Sequence, residues 1–147
     1  RLKARHIVLP ELPKPVGNYV EAVRVGNLLY LSGHGPDDSW RGKGQVGREV
    51  SLDQGRAAAR SAGLRMLSTI RGTLGSLDKV ERVVKIFGMV NSAPGFAEQP
   101  KVIDGFSDLM TEVFGDVAGK GTRSAVGMSA LPFGIPVEVE LILEVRD

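Results

Sequence analysis

Cysteine is absent from this 147-residue sequence, and histidine and aromatic residues are scarce. Without cysteine the chain has no disulfide, no thiol nucleophile and no cysteine-ligated metal. The two histidines, His6 and His34, stand apart from any cluster with ligand spacing, so we expect no metal site. Aromatic residues make up only 5% of the chain and do not interleave with a basic stripe, so nucleic-acid binding is not expected.

Long apolar runs and a strong net charge are also missing. No stretch approaches the ~20 apolar residues of a membrane span, and the N-terminal residues do not follow a signal-peptide pattern. The formal net charge is +2, and the basic residues are scattered along the chain. We therefore expect a cytoplasmic protein that forms one domain over residues 1–147 and does not bind a membrane.

Several familiar catalytic signatures do not occur in the chain. There is no G-x-S-x-G nucleophile motif, and Gly33-His34-Gly35 lacks the Gly-Lys-Ser/Thr of a phosphate-binding loop. A dinucleotide-binding fingerprint is missing as well. The sequence thus indicates neither a serine hydrolase nor a nucleotide site.

The first third of the chain predicts a lead-in, a hairpin and a long loop. Three prolines make residues 1–18 an extended lead-in. Alternating residues on both sides of Gly26-Asn27 predict two hairpin strands at 20–25 and 28–32. The loop that follows, from Gly33 to residue 50, is long enough to be functional, although an exposed insertion is an equal alternative.

Two helices flank a central strand in the rest of the chain. Ser51 and Gln54 have capping-box spacing at the start of a helix that Gly72 or Gly75 ends. Its arginines face solvent or, less readily, RNA. The apolar, β-branched residues at 80–90 predict a strand in the middle of a sheet. A second amphipathic helix is expected from about 99 to 114.

The predicted order is ββαβαββ, which indicates an α+β fold with two helices on one face of a single sheet. Two helices cannot cover both faces of such a sheet. Leu141-Ile142-Leu143 is apolar at every position, which predicts burial on both sides. A homo-oligomer that covers the second sheet face satisfies both observations.

The two closing strands, around residues 121–145, carry charges that need a reason. Arginine grips a carboxylate with a planar fork, and a glutamate on a strand can orient a water or act as a base. If the strands form a hairpin centred on Phe133-Gly134, Arg123 lies opposite Glu144 in a plain ion pair. Glu138 then lies opposite Ser129, about 20 Å from Arg123. A site that uses both Arg123 and Glu138 therefore needs a second subunit.

A set of ordered motifs resembles the RidA/YjgF family from about Tyr19 to Val145. The motifs are Ser32-Gly33, Ser76-Leu77-Asp78-Lys79-Val80, Arg123-Ser124, Leu131-Pro132 and Val137-Glu138-Val139-Glu140. The resemblance implies a chorismate-mutase-like fold and a homotrimer with a ligand cleft at each subunit interface. Members hydrolyse reactive enamines and imines to 2-keto acids and ammonia without a metal or organic cofactor. Older names for the family are endoribonuclease L-PSP and translation inhibitor.

The resemblance also implies a set of site residues. Arg123 corresponds to the arginine that binds the substrate carboxylate, and Glu138 to the acidic residue that orients the attacking water. Tyr19, Ser32 and Gly33 correspond to residues that contact the ligand. His34 stands where the archetype has glutamine and Ala125 where it has cysteine, so the chain is similar to a divergent, longer branch. The alternatives are a trimer that binds a small carboxylate without catalysis and, less favoured, an RNA-cleaving protein.

Overall fold

A mixed five-stranded sheet carries both helices of this protein on one face. The structure, a computed structural model, describes residues 2–147. The elements are β1 (Ala22–Val25), β2 (Leu28–His34), α1 (Leu52–Leu74), β3 (Val80–Asn91), α2 (Gln99–Phe114), β4 (Thr122–Met128) and β5 (Val137–Val145). This confirms the predicted α+β class, the ββαβαββ order and the placement of both helices.

The ends of α1 are set by local side-chain chemistry. The Ser51 hydroxyl accepts from the Gln54 N–H, and the Gln54 side chain accepts from the Ser51 N–H, which completes the predicted capping box. Gly75 ends the helix with φ at 87°, a conformation that a residue with a side chain rarely adopts. The sequence pattern therefore located both ends of α1.

The two helices pack very closely where they cross. A Cβ atom added to Gly105 in α2 would overlap the backbone carbonyl of Arg56 in α1, and would lie 3.1 Å from the Arg56 Cα. Two ion pairs also join the helices near the crossing. Arg60 donates from both Nη atoms to the Glu112 carboxylate at 3.2 Å, and the Arg56 guanidinium lies 3.4 Å from the Asp108 carboxylate. Arg56 and Arg60 thus join the two helices.

The order of the strands corrects one hypothesis about the closing segment. The sheet runs β1-β2-β5-β3-β4, so β3 separates β4 from β5 and the two closing strands do not form a hairpin. β4 is parallel to β3, a pairing that requires a crossover, and α2 supplies it. Glu144 pairs with Leu28 on one side and Arg82 on the other, so the proposed Arg123–Glu144 ion pair is wrong.

The connection between β4 and β5 crosses the end of β3. The Asn91 N–H donates to the Pro136 carbonyl at 2.8 Å, and the Asn91 side chain donates to the Ile135 carbonyl at 3.2 Å. Leu131 and Ile135 are both buried there. Phe133-Gly134 resembles a hairpin turn in sequence, yet it lies in a short 3-10 turn on this crossing segment.

Strand β5 separates the helix-covered face from the open face. Val137, Val139, Leu141, Leu143 and Val145 are buried beneath the helices, while the residues between them point to the other side. Ile142 is only partly buried, so the predicted burial on both sides is not complete within one chain. Tyr30 and Val23 on the neighbouring strands stay 43% and 49% exposed, which leaves an apolar open face.

The long loop before α1 is packed against the rest of the molecule. Val46 is fully buried, and its N–H donates to the Asn91 carbonyl at 2.8 Å. The Gly42 N–H donates to the Phe133 carbonyl at 2.8 Å, which attaches the loop to the β4–β5 connection. The loop is therefore attached to the fold at these points, while residues 37–39, 41–43 and 47–49 stay exposed.

We expect Gly105→Ala to lower the free energy of unfolding by about 2 kcal/mol, because its new methyl group meets backbone that cannot rotate away. Because alanine favours a helix more than glycine does, helix propensity alone would raise the free energy of unfolding by about 1 kcal/mol. The matched control is Gly72→Ala, on the exposed surface of α1, where the methyl group meets only the flexible Leu12 side chain. Urea unfolding of both variants tests this, and equal stabilities would contradict the close helix crossing.

Candidate functional site

A cavity of about 590 Å³ opens where the end of β2 meets the start of β5. Five of the seven predicted site residues line it: Tyr19, Ser32, Gly33, His34 and Glu138. Neither Arg123 nor Ala125 is among its lining residues. The structure therefore brings together Glu138 and four of the residues predicted to contact a ligand, and places Arg123 elsewhere.

Gly33 and Glu138 touch directly in this cavity. Val137 and Val139 are fully buried, so strand alternation sends the Glu138 side chain to the opposite face. A Cβ atom added to Gly33 would overlap the Glu138 carboxylate and lie 3.0 Å from its Cδ. The missing side chain of Gly33 makes room for this carboxylate.

Glu138 has the electrostatics of a proton-accepting group. Burial raises the pKa of Glu138 above its ordinary value, and the neighbouring Glu140 carboxylate raises it further. Burial disfavours any charge on the Glu138 carboxylate, and the nearby Glu140 carboxylate disfavours a second negative charge beside its own. A carboxylate with a raised pKa is a better base than an exposed one, and the cavity gives it access to a bound molecule.

The lead-in, continued here through residues 19–21 to the start of β1, forms one wall of the cavity and is tied to β2. The Ser32 hydroxyl donates to the Val20 carbonyl at 2.6 Å, and the Ser32 N–H donates to the Glu21 carbonyl at 2.9 Å. Tyr19 lies beside the opening with 42% of its surface exposed. Ser32 thus holds the wall in place, and Tyr19 exposes an aromatic surface at the opening of the cavity.

His34 is almost completely buried at the inner end of β2, with 4% of its surface exposed. Its Nδ1 lies 2.6 Å from the Ser32 carbonyl oxygen, and its Nε2 lies 2.8 Å from the Thr69 hydroxyl. Burial lowers the pKa of His34, whereas the Ser32 carbonyl and Glu21 act in the opposite direction. The histidine is therefore part of the cavity wall and not a loop residue in solvent.

Arg123 lies at the far edge of the sheet and faces α2. It pairs with Ile86, a core residue, so its side chain is on the helix face. The Arg123 Nη1 lies 2.7 Å from the Asp104 carboxylate and 3.1 Å from the Ser107 hydroxyl. Ala125 is two residues along the same strand and on the same face.

Arg123 and Glu138 consequently point to opposite faces of one sheet. Glu138 pairs with Met89 on β3, and Arg123 pairs with Ile86, three residues earlier on the same strand. An odd separation on a strand places the two side chains on different faces. Within one chain these two residues cannot hold the same small molecule.

Several cavity residues were not found from the sequence. Glu21 lies 3.2 Å from His34, and Arg65 donates to the Pro36 carbonyl at 2.7 Å. Arg41 lies over the Phe133 ring, 4.4 Å from its centroid, at the junction of the long loop and the β4–β5 connection. The lead-in, the loop and α1 meet only in three dimensions, so no local pattern marks these residues.

Among residues 2–147, no group of three or more histidine, aspartate or glutamate side chains could hold a metal ion. Over the same described residues, neither helix combines the length and the apolar character needed to cross a membrane.

Comparison with known proteins shows a consistent likeness over the whole chain. The family model described as YjgF/chorismate mutase-like, a description that also names an endoribonuclease, matches residues 1–144. Protein TCP17 from Trypanosoma cruzi is 43% identical over 143 residues, which cover 96% of this chain and 89% of that protein.

Two further relatives link the chain to an activity and to a solved structure. A 2-iminobutanoate/2-iminopropanoate deaminase from Dermatophagoides farinae is 30% identical over 147 residues, and 97% of each chain is covered. The crystal structure of Atu1372 from Agrobacterium tumefaciens, a protein of unknown function, superposes with a TM-score of 0.88 at 38% identity. The superposition covers 99% of this chain and 90% of the Atu1372 chain.

We expect Gly33→Ala to displace the Glu138 carboxylate toward solvent, because the new methyl group occupies its position. Burial is the main cause of the raised pKa of Glu138, so its loss should lower that pKa toward the ordinary value. A ¹³C NMR titration of the glutamate carboxyl groups measures this. Gly72→Ala, far from the cavity, should leave the Glu138 titration unchanged, and an unchanged titration in Gly33→Ala would contradict the contact.

Proposed function

This chain belongs to the RidA/YjgF family, and we propose that it hydrolyses reactive enamines and imines of small 2-amino acids to 2-keto acids and ammonia. The observation that carries the proposal is the half-buried Glu138 carboxylate in an open cavity, against Gly33 and with a raised pKa. The relative from Dermatophagoides farinae, a deaminase of imino acids with three or four carbons, supports the same chemistry.

The reaction needs a group that activates water, and Glu138 is placed to do this. A water between the Glu138 carboxylate and the electrophilic carbon of an imine would give a proton to the carboxylate as its oxygen attacks. The raised pKa of Glu138 makes this proton transfer more favourable than it is for an exposed glutamate. As the pH falls through that pKa, Glu138 becomes protonated, so we expect turnover to decline on the acid side.

The substrate carboxylate needs a cation, and we propose that Arg123 of a neighbouring subunit supplies it. Lys14, Arg41 and Arg65 also line the cavity, and the two arginines lie 3.4 and 3.9 Å from Asp38. Arg123 is held by Asp104 and Ser107 through Nη1 and by the Pro100 carbonyl through Nη2, which orients its Nε for a carboxylate from the neighbouring subunit's cavity. Because Arg123 and Glu138 face opposite sides of one sheet, a homotrimer with clefts between subunits would bring them together.

The open sheet face offers the surface for this assembly. Tyr30, Val23 and Val126 on that face are each at least 37% exposed. Val23 and Val126 lie on the two edge strands, and exposed apolar side chains on a sheet face favour association with another apolar surface. Association through this face would cover the partly buried Ile142 and place sheet edges of different subunits side by side.

The RNA-cleaving alternative gains no support from the basic residues of α1. Arg56 and Arg60 lie against the carboxylates of α2, and Arg65 donates to the backbone of the long loop. Arginines that are already paired within the chain do not form a free phosphate-binding stripe. Of the two remaining functions, catalysis is favoured over carboxylate binding alone by the environment of Glu138.

We expect Arg123→Ala to lower kcat/KM for imines generated by an amino-acid oxidase by about 10- to 100-fold, because charge-assisted hydrogen bonds to the carboxylate are lost. Arg56→Ala is the matched control, since it also removes an arginine that pairs with an α2 carboxylate. That control should retain wild-type turnover. A wild-type protein that binds 2-ketobutyrate without turnover would favour the carboxylate-binding alternative.

A further inference from the structure

A second acidic group lies in the cavity wall beside His34. The Glu21 carboxylate is 3.2 Å from the His34 Nε2, and the Thr69 hydroxyl is 2.8 Å from the same nitrogen. On the other side of the ring, the Nδ1 faces the Ser32 carbonyl oxygen at 2.6 Å. Three groups, from the chain just before β1, from β2 and from α1, thus surround one buried imidazole.

These contacts restrict where the protons are. A carbonyl oxygen only accepts hydrogen bonds, so the His34 Nδ1 must carry a hydrogen. If Nε2 also carries one, an imidazolium faces a Glu21 carboxylate. If Nε2 has a lone pair, the Thr69 hydroxyl can donate to it, and no proton is shared with Glu21. In the first arrangement the Nε2 proton lies near both the Glu21 carboxylate and the Thr69 oxygen, and it is the proton that can move to Glu21.

The two ends of this pair differ in their access to the cavity. The His34 side chain is 2% exposed and that of Glu21 is 15% exposed, and both residues line the cavity. Burial lowers the pKa of His34, and Arg65 on α1 adds to the lowering. The proton is therefore released readily from the imidazole side, and Glu21 is the end that a bound molecule can reach.

The deamination has a use for such a proton. Glu138, on the β5 side of the cavity, is needed to remove a proton from the attacking water. The departing nitrogen must gain protons, and one carboxylate is poorly placed to serve both sides of the reacting carbon. The cavity holds Glu21 and Glu138 on different wall segments, which suits separate acid and base roles.

We propose that Glu21 is the general acid of this cavity, that it delivers a proton to the departing nitrogen, and that His34 holds and resupplies that proton. The inference rests on the proposed imine hydrolysis. Glu21 would be a catalytic residue, since it touches the substrate nitrogen, and His34 a positioning residue that acts through Glu21. A glutamine in place of His34, as in the family archetype, would position Glu21 without holding a mobile proton.

The proposed step balances as follows. The water oxygen forms a bond to the imine carbon, the C=N π electrons move to nitrogen, and Glu138 takes one water proton. The Glu21–His34 pair protonates that nitrogen, which gives a neutral carbinolamine. The proton held on Glu138 then recharges the pair through solvent, and the pair protonates the amino group. The C–N bond then breaks with its electron pair on nitrogen, ammonia leaves, and the hydroxyl proton returns through solvent to recharge the pair. One water is consumed, and one keto acid and one ammonia are formed.

The test compares Glu21→Gln, His34→Gln and the double variant by imine turnover across pH and by calorimetric binding of 2-ketobutyrate. We expect kcat to fall about 100-fold in Glu21→Gln, with the Kd for 2-ketobutyrate changed less than about threefold. The wild-type rate should decline at high pH as the pair loses its proton. In both single variants the decline in rate at high pH should be lost or shifted. The kcat of the double variant should be no lower than that of Glu21→Gln, because the two residues act as a unit.

Controls separate this inference from the proposed function. Glu11→Gln changes an exposed glutamate outside the cavity and should match the wild type. An active wild type with an unaltered rate and pH profile in Glu21→Gln would overturn the role of the pair alone. An inactive wild type would overturn the deaminase proposal and this inference with it. In the wild type, ¹⁵N NMR should show the His34 Nε2 changing protonation over the same pH range, and an invariant signal would also overturn the pair.

Discussion

The position of β5 between β2 and β3 is the constraint on which the rest of the site depends. One side of this strand is buried under two helices, so its other side must carry Glu138 and Glu140. β2 brings Gly33 against Glu138, and only a residue without a side chain fits there. The same alternation sends Arg123, on the far side of β3, to the helix face. A single sheet therefore separates the two groups that the proposed chemistry needs together.

Electrostatics in the cavity follow from how the backbone elements converge. The lead-in brings Glu21, β2 brings His34 and β5 brings Glu138, so acidic groups collect in a space that is partly shielded from water. Shielding raises the cost of each additional negative charge. Glu138 responds with a raised pKa, and Glu21 is balanced by His34. An environment of this kind favours groups that exchange protons, whereas a simple binding pocket for an anion would be lined by free cations.

The sequence predicted most of the local structure because the signals were local. The Ser51 capping box, the helix over 99–114 and the first hairpin all depend on neighbours within a few residues. The pairing of the closing strands was not predictable in this way. Phe133-Gly134 resembles a hairpin turn, and nothing nearby in sequence reveals that β3 inserts between β4 and β5. Glu21 was missed for a related reason, since its partner His34 is placed by the fold of β2 onto β1 and α1.

The central claim is that Arg123 of one subunit and Glu138 of another form each site. The direct measurement is the imine turnover of a co-refolded equal mixture of Arg123→Ala and Glu138→Gln, each of which is strongly impaired alone. In a randomly mixed cyclic trimer, about one quarter of the interfaces would combine an intact Arg123 with an intact Glu138. The account predicts that the mixture recovers about one quarter of wild-type activity. A mixture no more active than either variant alone would contradict it.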